Sequence, residues 1–355
     1  MSDFGREEFD RYSRQTNFVG LGRSEQELLA KSRVLILGCG GLGSASASLL
    51  ARAGVGYLRL ADRDFMELSN LQRQILYDEH DVKEGLPKVI AAQRKLREIN
   101  ANTRVEPVIA DVNRTNIESL IEGVHLVIDG SDNFETRYLL NEACVKHNVP
   151  WIYGAAVESY GMCMNIIPRK TACLHCVMEH VPRPNATPAS ETEGVLGPIV
   201  TMIASIQSAE AMKILTHKMD ALNKAIIVID LWQNSYQAID IAALRETVNC
   251  PVCSQSKFEY LSGRFGNLYT RVVGQNAVQI IPFETQKLDL PRLAIELASQ
   301  GSVKVNEYVV RIEIDRCELS IFQDGRTVVS GTADTGIARN YYTKYVKQCV
   351  DSHQQ

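Results

Sequence analysis

The chain has no apolar run that approaches the roughly 20 residues a membrane-spanning helix requires. Its opening, Met-Ser-Asp-Phe-Gly-Arg-Glu-Glu, lacks the apolar core of a signal peptide. There is no basic excess: Lys+Arg 38 stand against Asp+Glu 42, a net charge of −4, so nucleic acid is not expected as the main partner. No period of about 20 to 50 residues recurs, which excludes repeat architectures. Disulfides are equally unpromising. Nine cysteines in 355 residues make a modest and odd set, and four of them fall in two close pairs. That suits metal binding in a reducing cell. What is left is a cytoplasmic globular protein with no membrane partner. Its 45% hydrophobic and 23% charged residues are the ordinary mix for one. The length allows two or three domains and a core large enough to fold unaided.

The pattern along the chain is that of an α/β protein with a doubly wound sheet. After a polar opening, Ser24-Glu-Gln-Glu offers a capping box for a short helix. Arg33 to Gly38 is a buried parallel-strand run, and a glycine turn leads into a small-residue helix from Ser44 to Ala53. Strands are expected at 57–62, 104–110, 125–129, 149–153 and 162–167, with helices near 87–99 and 136–147. Pro182 to Gly197, rich in Pro, Thr, Ser, Asn and Glu, reads as an exposed, mobile crossover loop. A helix from Pro198 to His217 and strands at 225–231 and 236–241 close a first domain over residues 1–253. A polar linker at 254–264 follows, and residues 265–355 read as a small α+β domain with a hairpin turn at Asp324-Gly325.

Gly38-x-Gly40-x-x-Gly43 joins a strand to a helix, and Asp62 ends the next strand. The glycines allow backbone to approach phosphate, the helix N-terminus favours an anion, and the acid is placed for a ribose hydroxyl. This context points to nucleotide binding without separating a nicotinamide dinucleotide from ATP. The following stretch separates them. Leu68-Ser69-Asn70-Leu71-Gln72-Arg73-Gln74 and Gly85-Leu-Pro87-Lys88 place polar and basic groups directly after the ribose acid. A dehydrogenase does not need them; a nucleotidyl transferase must neutralise a triphosphate. Asp132, after a buried strand, suits Mg²⁺, which prefers one or two carboxylates plus phosphates. Cys173-Leu-His-Cys176 and Cys250-Pro-Val-Cys253 suit a closed tetrahedral zinc site that clips the start of the crossover loop to the end of the domain. His175 reads as a bystander inside the first pair. Cys39, Cys144 and Cys163 read as small buried hydrophobes.

R-Y-S-R-Q, G-C-G-G-L-G, D-x-D, S-N-L-Q-R-Q, L-P-K, D-G-S-D-N and the two Cys-x-x-Cys pairs resemble the ThiF/MoeB/HesA family, the bacterial branch of the ubiquitin-activating-type adenylyltransferases. The resemblance spans residues 9 to 253. It implies a Rossmann-like domain with a four-cysteine zinc site. It also implies an enzyme that uses ATP and Mg²⁺ to adenylate the C-terminal glycine of a ubiquitin-like sulfur-carrier protein ending in Gly-Gly. At matching positions, Gly38, Gly40 and Gly41 approach the phosphates, and Asp62 with Asp64, Ser69, Gln74 and Asn133 surrounds the nucleotide. Asn70, Arg73 and Lys88 contact phosphates, and Asp132 binds Mg²⁺. Arg14 reaches the partner subunit's site, which implies a homodimer. A carboxylate attacking ATP needs no general base, in keeping with the lack of an obvious Ser-His-Asp or Cys-His set. Three alternatives are adenylation of a short ribosomal peptide, a non-catalytic nucleotide-binding scaffold, and an NAD-dependent oxidoreductase.

The second domain, through Leu319 to Thr332 and Ala338 to Tyr345, is similar to tails on some members of this family and is expected to grip the carrier or extend the dimer. The chain departs from the family in the crossover loop. Covalent-linking members carry a cysteine four residues before Gly-Val; here Gly194-Val195 is preceded at that position by Ser190, and no cysteine occurs between 177 and 249. A serine hydroxyl is un-ionised at neutral pH and cannot form a persulfide. The reaction is therefore expected to stop at the acyl-adenylate. Ser190→Ala should leave ATP–pyrophosphate exchange within about twofold of wild type, as surface changes usually do. Intact mass should show no thiol-sensitive adduct, and one mapped to a cysteine of this chain, Cys349 being the first to check, would overturn that expectation.

Overall fold

The computed structural model describes residues 6–178, 194–263, 269–271, 276–280 and 288–347. Contacts divide the chain into two compact units at residue 265. The first unit is built on an eight-stranded sheet of β1 (Arg33–Leu37), β2 (Tyr57–Asp62), β3 (Arg104–Ile109), β4 (Leu126–Asp129), β5 (Trp151–Val157), β6 (Tyr160–Ile166), β7 (Ala225–Asp230) and β8 (Ser235–Asp240). Its order is β3-β2-β1-β4-β5-β6-β7-β8. The five strands from β3 to β5 run parallel, and β6, β7 and β8 run antiparallel. The order therefore reverses between β1 and β4, and both strands end at that switch point. The register pairs Leu37 with Asp129 there.

β1 and β4 are apolar along almost their whole length because helices cover both faces. The Gly41–Arg52 and Gly197–Leu215 helices pack on each other and on the sheet. Trp151, Tyr138, Val127 and Leu140 are among the buried side chains of the core. Among the described residues, no helix is long and apolar enough to cross a membrane.

Several expectations shift by a residue or two at element ends. The larger differences have local causes. The 23–31 helix takes Gly22 as its N-cap, with no side-chain cap, because the Ser24 hydroxyl bonds Glu25 instead. The capping box does not form. The glycine turn passes into helix at Gly41, earlier than Ser44. Segment 254–263 is not a free linker: Phe258, Tyr260 and Leu261 pack against the core, and Tyr260 stacks on Tyr138 at 5.5 Å. The crossover loop is described only from Gly194, where Val195 bridges to Glu158; Ser190 lies outside the described residues, as does Cys349.

The second unit is a six-stranded antiparallel sheet of β9 (Tyr269–Arg271), β10 (Ala277–Ile280), β11 (Ser302–Val305), β12 (Val309–Ile314), β13 (Cys317–Phe322) and β14 (Thr327–Ser330), in the order β11-β12-β13-β14-β10-β9. The Leu290–Leu297 helix, capped by the Asp289 side chain, covers one face with Leu290, Leu293 and Leu297. The Asp324-Gly325 turn forms as expected, with Gly325 at φ +83. β11, Ser-Val-Lys-Val, is too short an alternation to be read from the sequence.

Candidate functional site

The glycine turn sits where β1 and β4 end. Gly38 has φ +88, and a Cβ there would meet the Gly130 carbonyl oxygen at 2.5 Å. A Cβ on Gly43 would lie 1.7 Å from the Gly38 carbonyl oxygen. The loop therefore folds back on itself and against the turn after β4, a close approach only glycine permits. Gly40 caps and Gly41 opens the Gly41–Arg52 helix, whose first turn carries no acidic residue, so no side-chain charge offsets the positive end of its dipole. Gln74 is buried beneath Gly40, with its Oε1 unpaired among the described residues.

Asp62 ends β2 beside this loop. Its two carboxylate oxygens accept the Cys39 N–H at 2.6 Å and the Asp64 N–H at 2.7 Å. Burial raises its pKa above the usual carboxylate range, against the pull of Lys88 and the two N–H donors. Lys88 begins the helix after the Leu86-Pro87 turn and is buried. Its Nζ lies 3.0 Å from Asp64 Oδ2. Burial works against its charge, yet Asp64, Asp62 and Asp132 together hold its pKa above the ordinary lysine value. Asp132 is exposed in the turn after β4, just before Asn133, whose Oδ1 caps the Phe134–His147 helix through the Thr136 N–H. Lys88, Asp62, Asp64 and Asp132 thus converge on one edge from three different segments.

The remaining expected residues have more local roles in this state. Asn70 is buried and closes a reciprocal cap with Glu67. Ser69 is exposed, and its carbonyl accepts Arg73 Nη1 at 3.1 Å. In Arg11-Tyr12-Ser13-Arg14-Gln15, Tyr12 and Gln15 anchor the helix to Asn100 and Ala53. Arg14 is left exposed, with no hydrogen-bond or ion-pair partner among the described residues.

Two arginines were not singled out by sequence reasoning. Arg137 lies buried one turn into the helix opened by Asp-Gly-Ser-Asp-Asn. It bonds Asp129 Oδ2 at 3.1 Å and the carbonyls of Ser131 and Gly154 at 2.7 and 3.0 Å. Burial opposes its charge, but Tyr153, Asp129 and Asp132 hold its pKa up. The second, Arg63, pairs with Asp111 at 2.6 Å. Neither carries a signal stronger than its position inside a polar motif.

Cys173, Cys176, Cys250 and Cys253 bring their sulfurs within 4.8 Å of one another. Neighbouring sulfurs stand 3.4 to 3.8 Å apart. A zinc tetrahedron with bonds of ~2.3 Å has edges of ~3.8 Å, so the donor set fits that ion in number, type and spacing.

Comparison with known proteins agrees with this geometry. The ThiF family matches residues 12–252. The chain belongs to the ThiF family. It is 40% identical over 337 residues to the sulfur carrier protein ThiS adenylyltransferase of Bacillus subtilis, covering 95% of this chain and 99% of that one. It is 35% identical over 255 residues to the molybdopterin-synthase adenylyltransferase of Salmonella typhimurium, covering 72% of this chain and all of that one. The fold is also that of a crystal structure of E. coli MccB with MccA-N7isoASN, with a TM-score of 0.61 at 23% identity over 71% of this chain and 76% of that one. The enzyme is an adenylyltransferase of the ThiF type, and uses ATP. That sets aside the oxidoreductase and the non-catalytic scaffold.

Lys88 is a buried cation at this edge. Lys88→Met should leave Asp62 and Asp64 facing each other and weaken ATP binding by at least about thirtyfold, the lower end of the effect of truncating a buried charge partner. Calorimetric titration checks it, with circular dichroism to show the fold retained.

Proposed function

We propose that the protein adenylates the C-terminal glycine of a ubiquitin-like sulfur-carrier protein of the ThiS kind, releasing pyrophosphate. The observation that carries this reading is the convergence of Lys88, Asp64 and Asp132 on the glycine loop at the β1/β4 switch point. The extent of likeness supports this acceptor. The Bacillus subtilis ThiS adenylyltransferase matches 95% of this chain, second unit included, whereas the Salmonella typhimurium molybdopterin-synthase enzyme matches 72%. Adenylation of a short ribosomal peptide has only a shared fold in its favour.

In this reading the N–H groups at Gly40 and Gly41 and the side chains of Asn70, Arg73 and Lys88 hold the triphosphate. Asp62 fixes the ribose, with Asp64, Ser69, Gln74 and Asn133 around the nucleotide. Asp132 supplies a hard, exposed oxygen ligand suited to Mg²⁺, which when bound would neutralise charge on the departing pyrophosphate. The carrier's carboxylate attacks the α-phosphorus without a base, and alignment does the catalytic work. Arg14, exposed and unpartnered among the described residues, is directed at the site of a second copy, making the enzyme a homodimer with two composite sites. The four-cysteine set holds structural zinc and plays no part in the chemistry. Residues 1–253 carry the adenylation, and the small α+β domain at 265–355 grips the carrier. A cytoplasmic setting keeps the thiols reduced.

With Mg²⁺ and a ThiS-like carrier, the protein should exchange labelled pyrophosphate into ATP. Asp132→Ala and Arg14→Ala should each lose about 10²–10³ in rate. Mixed dimers of the two variants should regain one intact site, and failure to do so with subunit exchange demonstrated would leave Arg14 a structural role. Exchange with a peptide and none with any carrier would favour the peptide reading.

Metal analysis should find about one Zn²⁺ per chain, and Cys173→Ser should lower the unfolding midpoint because site formation contributes folding free energy. Metal-free protein with undiminished stability would remove zinc from the account.

A further inference from the structure

Arg63 lies between Asp62 and Asp64 and takes part in none of the steps above. Its Nη1 stands 2.6 Å from Asp111 Oδ1 and its Nε 3.6 Å from Asp64 Oδ1. The side chains of Arg63 and Asp111 are 30% and 12% exposed, so this pair is largely withdrawn from water. The other oxygen of Asp64, Oδ2, is the one held by Lys88 Nζ at 3.0 Å. One carboxylate is therefore shared between two cations, one on each oxygen. Asp111 follows β3, whose last residue Ile109 pairs with Asp62, so Arg63 also fastens the turn after β3 to the end of β2. Asp132 is near enough for its charge to act on Arg63 and on Lys88.

The edge that must receive a triphosphate thus carries the carboxylates of Asp62, Asp64, Asp111 and Asp132, with Lys88 and Arg63 paired among them. Hard carboxylate oxygens gathered in this way attract divalent ions and repel phosphate unless they are already paired. Resting on the nucleotide site described under the proposed function, we infer that Arg63 is a positioning residue that occupies Asp111 and Asp64, so that the ion accompanying ATP is held at Asp132 and no second ion is taken up beside it. The guanidinium suits this task, since its planar fork reaches two carboxylates at once and never loses its charge.

The test uses the full-length protein and Mn²⁺ as the probe. Manganese binding to nucleotide-free protein is titrated by electron paramagnetic resonance, and KM for ATP is read from pyrophosphate exchange. Arg63→Met, and Arg63→Gln as a variant that keeps a hydrogen bond to Asp111, should each take up an additional Mn²⁺ per chain relative to wild type. Each should raise KM for ATP about tenfold while kcat changes less, because removing the cation alters binding charge and not the reacting atoms. Arg63→Lys, which keeps the charge without the planar fork, should take up less additional Mn²⁺ than either neutral variant. Adding Asp111→Asn to Arg63→Met should abolish the extra ion. The inference is overturned if neither neutral variant gains an ion, or if the double variant keeps it. Absence of exchange in the wild type would sink the adenylation reading instead, and the manganese titration would still decide the role of Arg63.

Discussion

The structure turns on how closely two backbones approach at the end of the central sheet. Gly38, Gly43 and Gly130 meet with no room for a single added carbon: a Cβ on Gly130 would lie 2.8 Å from the Gly38 carbonyl oxygen. This contact lets the loop after β1 lie flat against the turn after β4. The Gly41–Arg52 helix can then start directly after the turn at the strand end. A bulkier loop would push the helix outward and separate its N-terminus from Asp132. Everything placed around the β1/β4 switch point takes its reference from this contact.

Electrostatics then divides the work between a buried arginine and a buried lysine. Arg137 serves the framework. It ties Asp129 at the end of β4 to the carbonyls of Ser131 and Gly154, and so holds the turn that presents Asp132. Lys88 sits against Asp64 beside the glycine loop, kept charged by the surrounding carboxylates. A buried charge without such partners would be costly, which explains why these groups come as a connected set. Gln207, from the Gly197–Leu215 helix, closes the back of the same region by donating to the Asp129 and Ile152 carbonyls.

The parallel half of the sheet was legible in the sequence because each strand is a short apolar run bounded by a turn or a helix, as in Arg33 to Leu37 and Leu126 to Asp129. The candidate site was suggested for a different reason: the spacing of glycines, acids and bases within short motifs is that expected of phosphate chemistry. Other features could not be read because they depend on long-range contacts. The direction of β6 to β8 is one, since periodicity carries no sense of parallel or antiparallel. Arg63 and Arg137 are others; each is an ordinary charged residue until folding brings Asp111 or Gly154 beside it. The misplaced cap at Ser24 arose from a local competition: its hydroxyl found the Glu25 carboxylate before the helix N-terminus. Polar composition likewise concealed the packing of Phe258, Tyr260 and Leu261.

That last segment explains how a cysteine cluster remote from the nucleotide edge bears on it. The Phe134–His147 helix begins one residue after Asp132-Asn133, so its position sets theirs. Both cysteine pairs lead into contacts with that helix. After the first pair opens at Cys173, the Leu174 N–H donates to Asn141 Oδ1 at 3.0 Å, and the Tyr138 hydroxyl donates to the Met178 carbonyl at 2.6 Å. Beyond the second pair, the Glu259 and Leu261 N–H groups both donate to the buried Glu142 carboxylate at 3.0 Å. The helix is therefore gripped along one side by two segments that the Cys173, Cys176, Cys250 and Cys253 cluster brings together. A clip remote from Asp132 would still fix that carboxylate, because an end-anchored helix transmits its placement to the residues that precede it.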